Sequence, residues 1–154
     1  MGIFIEDLLN FGNLIDTEIE IPLKPEDFKR VFPDLDFAFS EGILRIKGKK
    51  RVLFLSKGFE FRGREESEKV FNERTDELKD FGIFVKVVSS EGIEVLEKDS
   101  HFKREGDYLR ISLLDVLKAT ETYQRIPKQF RDKLHLVRYR IKEGKLSIFI
   151  TVVK

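Results

Sequence analysis

PEDFKRVFPDLDFAFSEGILRIKG, residues 25–48, and PKQFRDKLHLVRYRIKEGKLSIFI, residues 127–150, decide the fold, because they are two versions of one pattern at an offset of 102 positions. Pro25 falls on Pro127, Phe28 on Phe130 and Lys29 on Arg131. Leu35, Phe37 and Phe39 fall on Val137, Tyr139 and Ile141; Glu41-Gly42 falls on Glu143-Gly144; Leu44 and Ile46 fall on Leu146 and Ile148, with no gap. Alternation alone would match between any two strand pairs, since side chains on a strand repeat with a period of two. A proline, a phenylalanine and a Glu-Gly turn falling into phase in fixed order mark a structural repeat. Each unit reads as a short proline-initiated helix, an up-strand, a glycine turn and a down-strand. One such unit is too small to bury its own apolar face, so the two are expected to complete one pseudo-symmetric domain over residues 1–154.

The remaining segments fill in around these units. Ile3, Phe4, Leu8 and Leu9 predict a short helix over residues 2–10, closed by Gly12. Ile15, Thr17, Ile19 and Ile21 alternate with Asp16, Glu18 and Glu20 and predict a half-buried strand. Residues 52–55 and 59–61 are expected as paired strands about a Ser56-Lys57-Gly58 turn, and 65–80 as a charged surface helix ending at Gly82. Residues 83–88 and 93–96 read as a hairpin about Ser90-Glu91-Gly92. Residues 109–111 read as a strand running into Ser112. The Ser-Leu-Leu-Asp that follows has the form of a capping box, opening a helix through Leu113, Val116, Leu117 and Thr120. Pro127 starts a last short helix with Phe130 and Leu134 inward. The expected fold class is α+β: a curved antiparallel sheet of hairpins with a few short helices packed on it, the helix–hairpin unit pseudo-repeated.

Composition narrows the function classes without choosing one. The 29 basic and 28 acidic residues nearly cancel, so no global field selects nucleic acid, membrane or an acidic substrate. The absence of cysteine excludes disulfides and thiolate chemistry. Scarce amides beside abundant Lys and Glu resemble thermophile proteins, which concerns the host. The N-terminus has neither a basic leader nor a small-residue cleavage site, and no apolar run approaches the ~20 residues of a membrane-spanning helix, so a cytoplasmic location is expected.

Catalysis finds little foothold. His101 and His135 are the only histidines, and although Asp99-Ser100-His101 holds the letters of a triad, adjacent residues do not converge as a triad does. No metal-ligand spacing and no glycine-rich phosphate loop is present. No catalytic, metal or cofactor residue is assigned, and a non-enzymatic binding protein is expected. Two surfaces qualify for binding. Phe37, Phe39, Phe54, Phe59 and Phe61 alternate on strands and either fill a closed core or line an apolar groove; the pattern is the same for a filled interior and a hollow one. Arg45, Lys47, Lys49, Lys50 and Arg51, with Lys57, Arg62 and Arg64, form a basic run broken only by Glu60, and Arg138, Arg140 and Lys142 repeat it in the second unit. Such a face either contacts the phosphates of nucleic acid or anionic membrane, or is a solvated face balanced by nearby acids. A protein-interaction domain using an exposed edge strand is a third reading.

The order of elements, on residues 35–46 and 127–152, resembles the small bacterial lipid-binding-like domains related to the tubular lipid-binding superfamily, the YceB-like lipoproteins among them. The matching features are the alternating strands and the Glu-Gly turns; the export signal and lipobox of those lipoproteins have no counterpart here. The resemblance implies a strongly curved antiparallel sheet about a helix, with an apolar groove for an acyl chain or other lipid-like ligand.

Overall fold

A computed structural model of the chain describes residues 17–71, 81–131 and 133–152. Among them the chain runs β1 (Ile19–Leu23), α1 (Pro25–Val31), β2 (Asp36–Ser40), β3 (Ile43–Val52), β4 (Leu55–Phe71), β5 (Gly82–Ser89) and α2 (Ile93–Leu96). It continues through β6 (Phe102–Glu105), β7 (Tyr108–Ser112), α3 (Leu114–Lys118), α4 (Glu121–Arg125), α5 (Lys128–Arg131), β8 (Leu134–Lys142) and β9 (Lys145–Val152). The architecture is α+β and every strand pairing is antiparallel. Among the described residues there are two sheets instead of one, ordered β1-β9-β8 and β2-β3-β4-β5-β7-β6.

The two hairpins correspond register for register. Phe37 pairs with Ile46 and Phe39 with Leu44; in the second unit Tyr139 pairs with Ile148 and Ile141 with Leu146. Asp36↔Lys47, Ala38↔Arg45 and Ser40↔Ile43 likewise recur as Arg138↔Phe149, Arg140↔Ser147 and Lys142↔Lys145. Gly42 and Gly144 supply the positive φ of each turn, at 75° and 79°. Each turn then bonds to the other hairpin: Gly42 N donates to Ile141 O (2.9 Å) and Gly144 N to Phe39 O (3.0 Å). This reciprocal pair is the signature of a local two-fold relation. The correspondence extends to a third strand, since β4 flanks β3 through Ile46↔Phe61 and β1 flanks β9 through Ile148↔Ile21.

One apolar cluster serves both sheets. Phe28 of α1 stacks on Phe37 at 4.4 Å between ring centroids, and Ile21, Leu44, Ile46, Leu146 and Ile148 belong to the same core. At the seam Tyr139 donates its hydroxyl to Phe84 O (2.6 Å) and accepts from Glu66 N (2.6 Å). Burial drives the Tyr139 pKa far above its ordinary value, with the charges of Glu65 and Glu66 adding to it against the bond from Glu66 N. The phenol stays neutral and acts as a bolt between sheets.

Several local expectations are corrected. The stretch 65–71, expected as helix, continues β4: Glu65 pairs with Val85 and Val70 with Ile83, across an irregularity in register. Pairing with β5 outweighs helical propensity there, and residues 72–80 lie outside the described residues, as does the helix expected over 2–10. Ser56-Lys57-Gly58 is strand, not turn. Residues 93–96 form one helical turn, because Gly92 at φ 75° redirects the chain and Ile93 and Leu96, three apart, then share the buried side. The strand place beside β5 goes to β7. Its partner β6 escapes sequence reading because only Phe102 of its four residues is buried. Ser112 ends β7 and the N-cap position of α3 falls on Leu113; the expected single helix is two, and Thr120, the N-cap of α4, accepts from Tyr123 N (3.2 Å). Leu134 opens β8 rather than closing a helix.

Candidate functional site

β3 and β4 outrun their neighbours. Pairing of β2 with β3 stops at Lys47 and of β5 with β4 at Arg62, yet β3–β4 pairing continues through Gly48↔Phe59, Lys49↔Gly58, Lys50↔Lys57 and Arg51↔Ser56 to Val52↔Leu55. The result is a two-stranded finger reaching about 14 Å from Gly48 to Val52 at ~3.4 Å per residue. Leu53-Phe54 closes it as a two-residue loop, with Leu53 at φ 56°. A leucine there crowds its Cβ against the following carbonyl at about 1–2 kcal/mol, where glycine or asparagine is the usual occupant. The tip is apolar and bare: Phe54 is 100% exposed, Leu53 88%, Leu55 74% and Val52 46%.

The root of the finger is wedged. The Phe59 ring lies so close to Gly48 and Gly92 that a Cβ on either would stand 2.7 Å or 1.9 Å from it. The turn carrying Gly92 also holds the ribbon from the side: Glu91 Oε1 accepts from Glu60 N (3.0 Å) and Glu94 pairs with Lys50 (3.5 Å).

Charge divides the expected basic face into paired and unpaired groups. Arg45 donates to Ser40 Oγ (3.2 Å); Glu60 holds Arg62 (2.9 Å) and Lys47 (3.8 Å); Glu66 holds Arg64 (3.7 Å). Lys49, Arg51 and Lys57 make no ion pair or hydrogen bond among the described residues. Lys50 and Lys57 face each other directly across the ribbon, a like-charge pair that destabilises it. Arg138 and Arg140 belong to the other sheet. Arg138 lies 4.0 Å over the Phe149 ring and bonds Glu18 (2.8 Å), and Lys142 bonds Glu20 (3.1 Å). Partial burial works against the Glu20 carboxylate, but Ser147 and Lys142 outweigh it and hold its pKa below the ordinary value. These second-unit cations serve the three-stranded sheet, and no ion pair joins them to the finger among the described residues.

The five phenylalanines do not surround one groove. Phe37, Phe39, Phe59 and Phe61 are buried in the packed core, Phe37 with rings of Phe28, Phe32 and Phe102 within 4.4–6.4 Å, whereas Phe54 stands in solvent at the tip. A cleft of about 800 Å³ does open beside the root of the finger, between Asp34, Asp36, Lys47, Lys49, Glu60 and Glu91. Its charged rim is unsuited to an acyl chain.

His101 is clamped rather than free. Nδ1 lies 2.6 Å from Asp99 Oδ1 and Nε2 2.6 Å from Asp115 Oδ2, with the ring edge-on to Phe32 at 5.0 Å. Partial burial opposes the charged imidazolium, but the bonds to Asp115 and Asp99 and their negative charge prevail, and the pKa is raised. Both nitrogens act as donors in that form, tying the turn before β6 to the first turn of α3. His135 sits on β8 opposite Thr151. Among the described residues no group of three His, Asp or Glu side chains is placed to hold a metal, and no helix is long and apolar enough to cross a membrane.

Comparison of the chain with protein families, curated proteins and solved structures finds no match in any of the three. Residues 52–55 were legible as strand but not as a tip. The signal for it is that four consecutive apolar residues break the period-two alternation between Lys49-Lys50-Arg51 and Lys57.

Proposed function

We propose that this protein is a non-enzymatic binding module that docks on an anionic, phosphate-bearing surface through the β3–β4 finger. One observation carries the reading: Lys49, Arg51 and Lys57 project on a free-standing ribbon without ion-pair partners among the described residues, while most of the neighbouring cations are matched by acids. On a chain of net charge +1 such a cluster is a local field, not a consequence of overall basicity. An anionic surface would also relieve the repulsion between Lys50 and Lys57.

Near a negatively charged surface each cation contributes about 1 kcal/mol, so the three together are worth roughly 3 kcal/mol, on the order of a hundredfold in affinity. Binding to anionic vesicles and to short duplex DNA, titrated across a salt series, tests this. Salt-sensitive binding that is lost on Lys49→Glu/Arg51→Glu/Lys57→Glu is the expected result. Absence of binding to either probe at low salt would retire the proposal.

A further inference from the structure

The cations of the finger do not account for its tip. We infer that the finger inserts Val52, Leu53, Phe54 and Leu55 into the interfacial layer of an anionic lipid bilayer, with Arg51 and Lys57 at the level of the lipid phosphates. This rests on the anionic-surface reading and names the surface.

Three observations carry it. First, a water-exposed hairpin turn is ordinarily built from Gly, Asn, Asp or Ser, yet this one presents four apolar side chains and accepts a leucine at φ 56°. Sequence and backbone both depart from the usual turn at Leu53, and an apolar medium around the tip answers the exposure of the four apolar side chains. Second, the spacing fits. Arg51 precedes Leu53 by two residues and Lys57 follows Leu55 by two, about 7 Å along a strand, while apolar elements at a membrane interface sit about 5–10 Å deep. A tip at that depth places both cations among the headgroups.

Third, the charge pattern favours a flat surface over a groove. Glu60 and Glu91 stand at the root of the finger. A nucleic-acid duplex wrapped along the ribbon would bring phosphates against these carboxylates, whereas a bilayer meets only the distal residues. A second copy of this chain would set one set of cations against another.

The protein has no tryptophan, so Phe54→Trp places a single reporter at the exposed tip. Mixed with phosphatidylcholine vesicles containing phosphatidylserine, its emission should shift to the blue and be quenched by lipids brominated on the acyl chains. Leu53→Asn with Leu55→Ser should lower vesicle partitioning on the order of 100-fold. It should leave the thermal midpoint unchanged or raised, since both side chains are exposed and asparagine tolerates the positive φ. Salt-sensitive vesicle binding with no blue shift and no bromine quenching would overturn the insertion and leave the anionic-surface reading standing. Binding to DNA alone would overturn the bilayer as partner. Self-association dispersed by the Leu53→Asn/Leu55→Ser variant would overturn it in favour of a second copy.

Discussion

Gly92→Ala is expected to loosen the finger at its root. The glycine sits at φ 75°, and a Cβ there would stand 1.9 Å from Cδ1, 2.3 Å from Cγ and 2.5 Å from Cε1 of Phe59. The backbone conformation contributes about 1 kcal/mol against alanine. Displacing the ring adds about 1–3 kcal/mol, because the same ring is stopped on its other side by Gly48 and has nowhere to slide. The sum, about 2–4 kcal/mol, lowers the thermal midpoint by roughly 5–15 °C at this chain length.

Three other glycines separate the two contributions. Gly42→Ala and Gly144→Ala meet the same kind of φ, 75° and 79°, with nothing within 4 Å, so each should cost only about 1 kcal/mol, and equally, since they occupy equivalent repeat positions. Gly58→Ala has Gly48 O at 3.8 Å as its nearest neighbour and no positive φ, and should be neutral or stabilising by about 0.5 kcal/mol. Urea denaturation followed by circular dichroism, with the m-value unchanged, measures all four. Amide exchange over residues 49–58 should quicken in Gly92→Ala beyond what the global loss explains. A Gly92→Ala variant no less stable than Gly42→Ala would refute the wedge, and with it the idea that Phe59 positions the finger.

Tyr139→Phe removes only the hydroxyl that joins Glu66 N and Phe84 O and should cost about 2 kcal/mol, measured as a shift in urea midpoint; a loss below about 0.5 kcal/mol would show that the bolt holds nothing. Phe37→Tyr, at the equivalent position, places a hydroxyl among the rings of Phe28, Phe32 and Phe102 and should destabilise by a similar about 2 kcal/mol. The His101 clamp predicts a pH dependence. Its folded pKa is raised above 6.5, so the clamp stabilises fully below 6.5 and is lost as pH rises through the folded pKa. The stability difference between the protein and His101→Gln should therefore be largest near the acidic end of that window and shrink at alkaline pH; parallel stability–pH curves would remove the clamp from the account.

The two helix–hairpin units were legible because a period-two pattern and a Glu-Gly turn jointly specify which face of a strand is buried and where the chain reverses. Pro25 and Phe28 marked α1 for the same local reason, and in the structure Asp27 Oδ2 accepts from Lys24 N (2.9 Å) within one turn of helix. The errors fall where a partner distant in sequence decides. Residues 65–71 carry helix-compatible spacing but lie beside β5. Residues 93–96 carry strand-compatible residues but are displaced by β7 and turned by Gly92.

The candidate site shows the same division. Sequence by itself determined that apolar and cationic residues alternate into one run between Ile43 and Arg64, and that Glu41-Gly42 and Glu143-Gly144 turn two equivalent hairpins. Only the tertiary structure decided that Phe59 is core and Phe54, five residues earlier, is bare, since both belong to the same ribbon and read alike. What separates them is how far the rest of the fold reaches along the ribbon: β2 and β5 stop at Lys47 and Arg62, the Gly92 turn still covers Phe59 beyond them, and among the described residues nothing covers Phe54 at the tip.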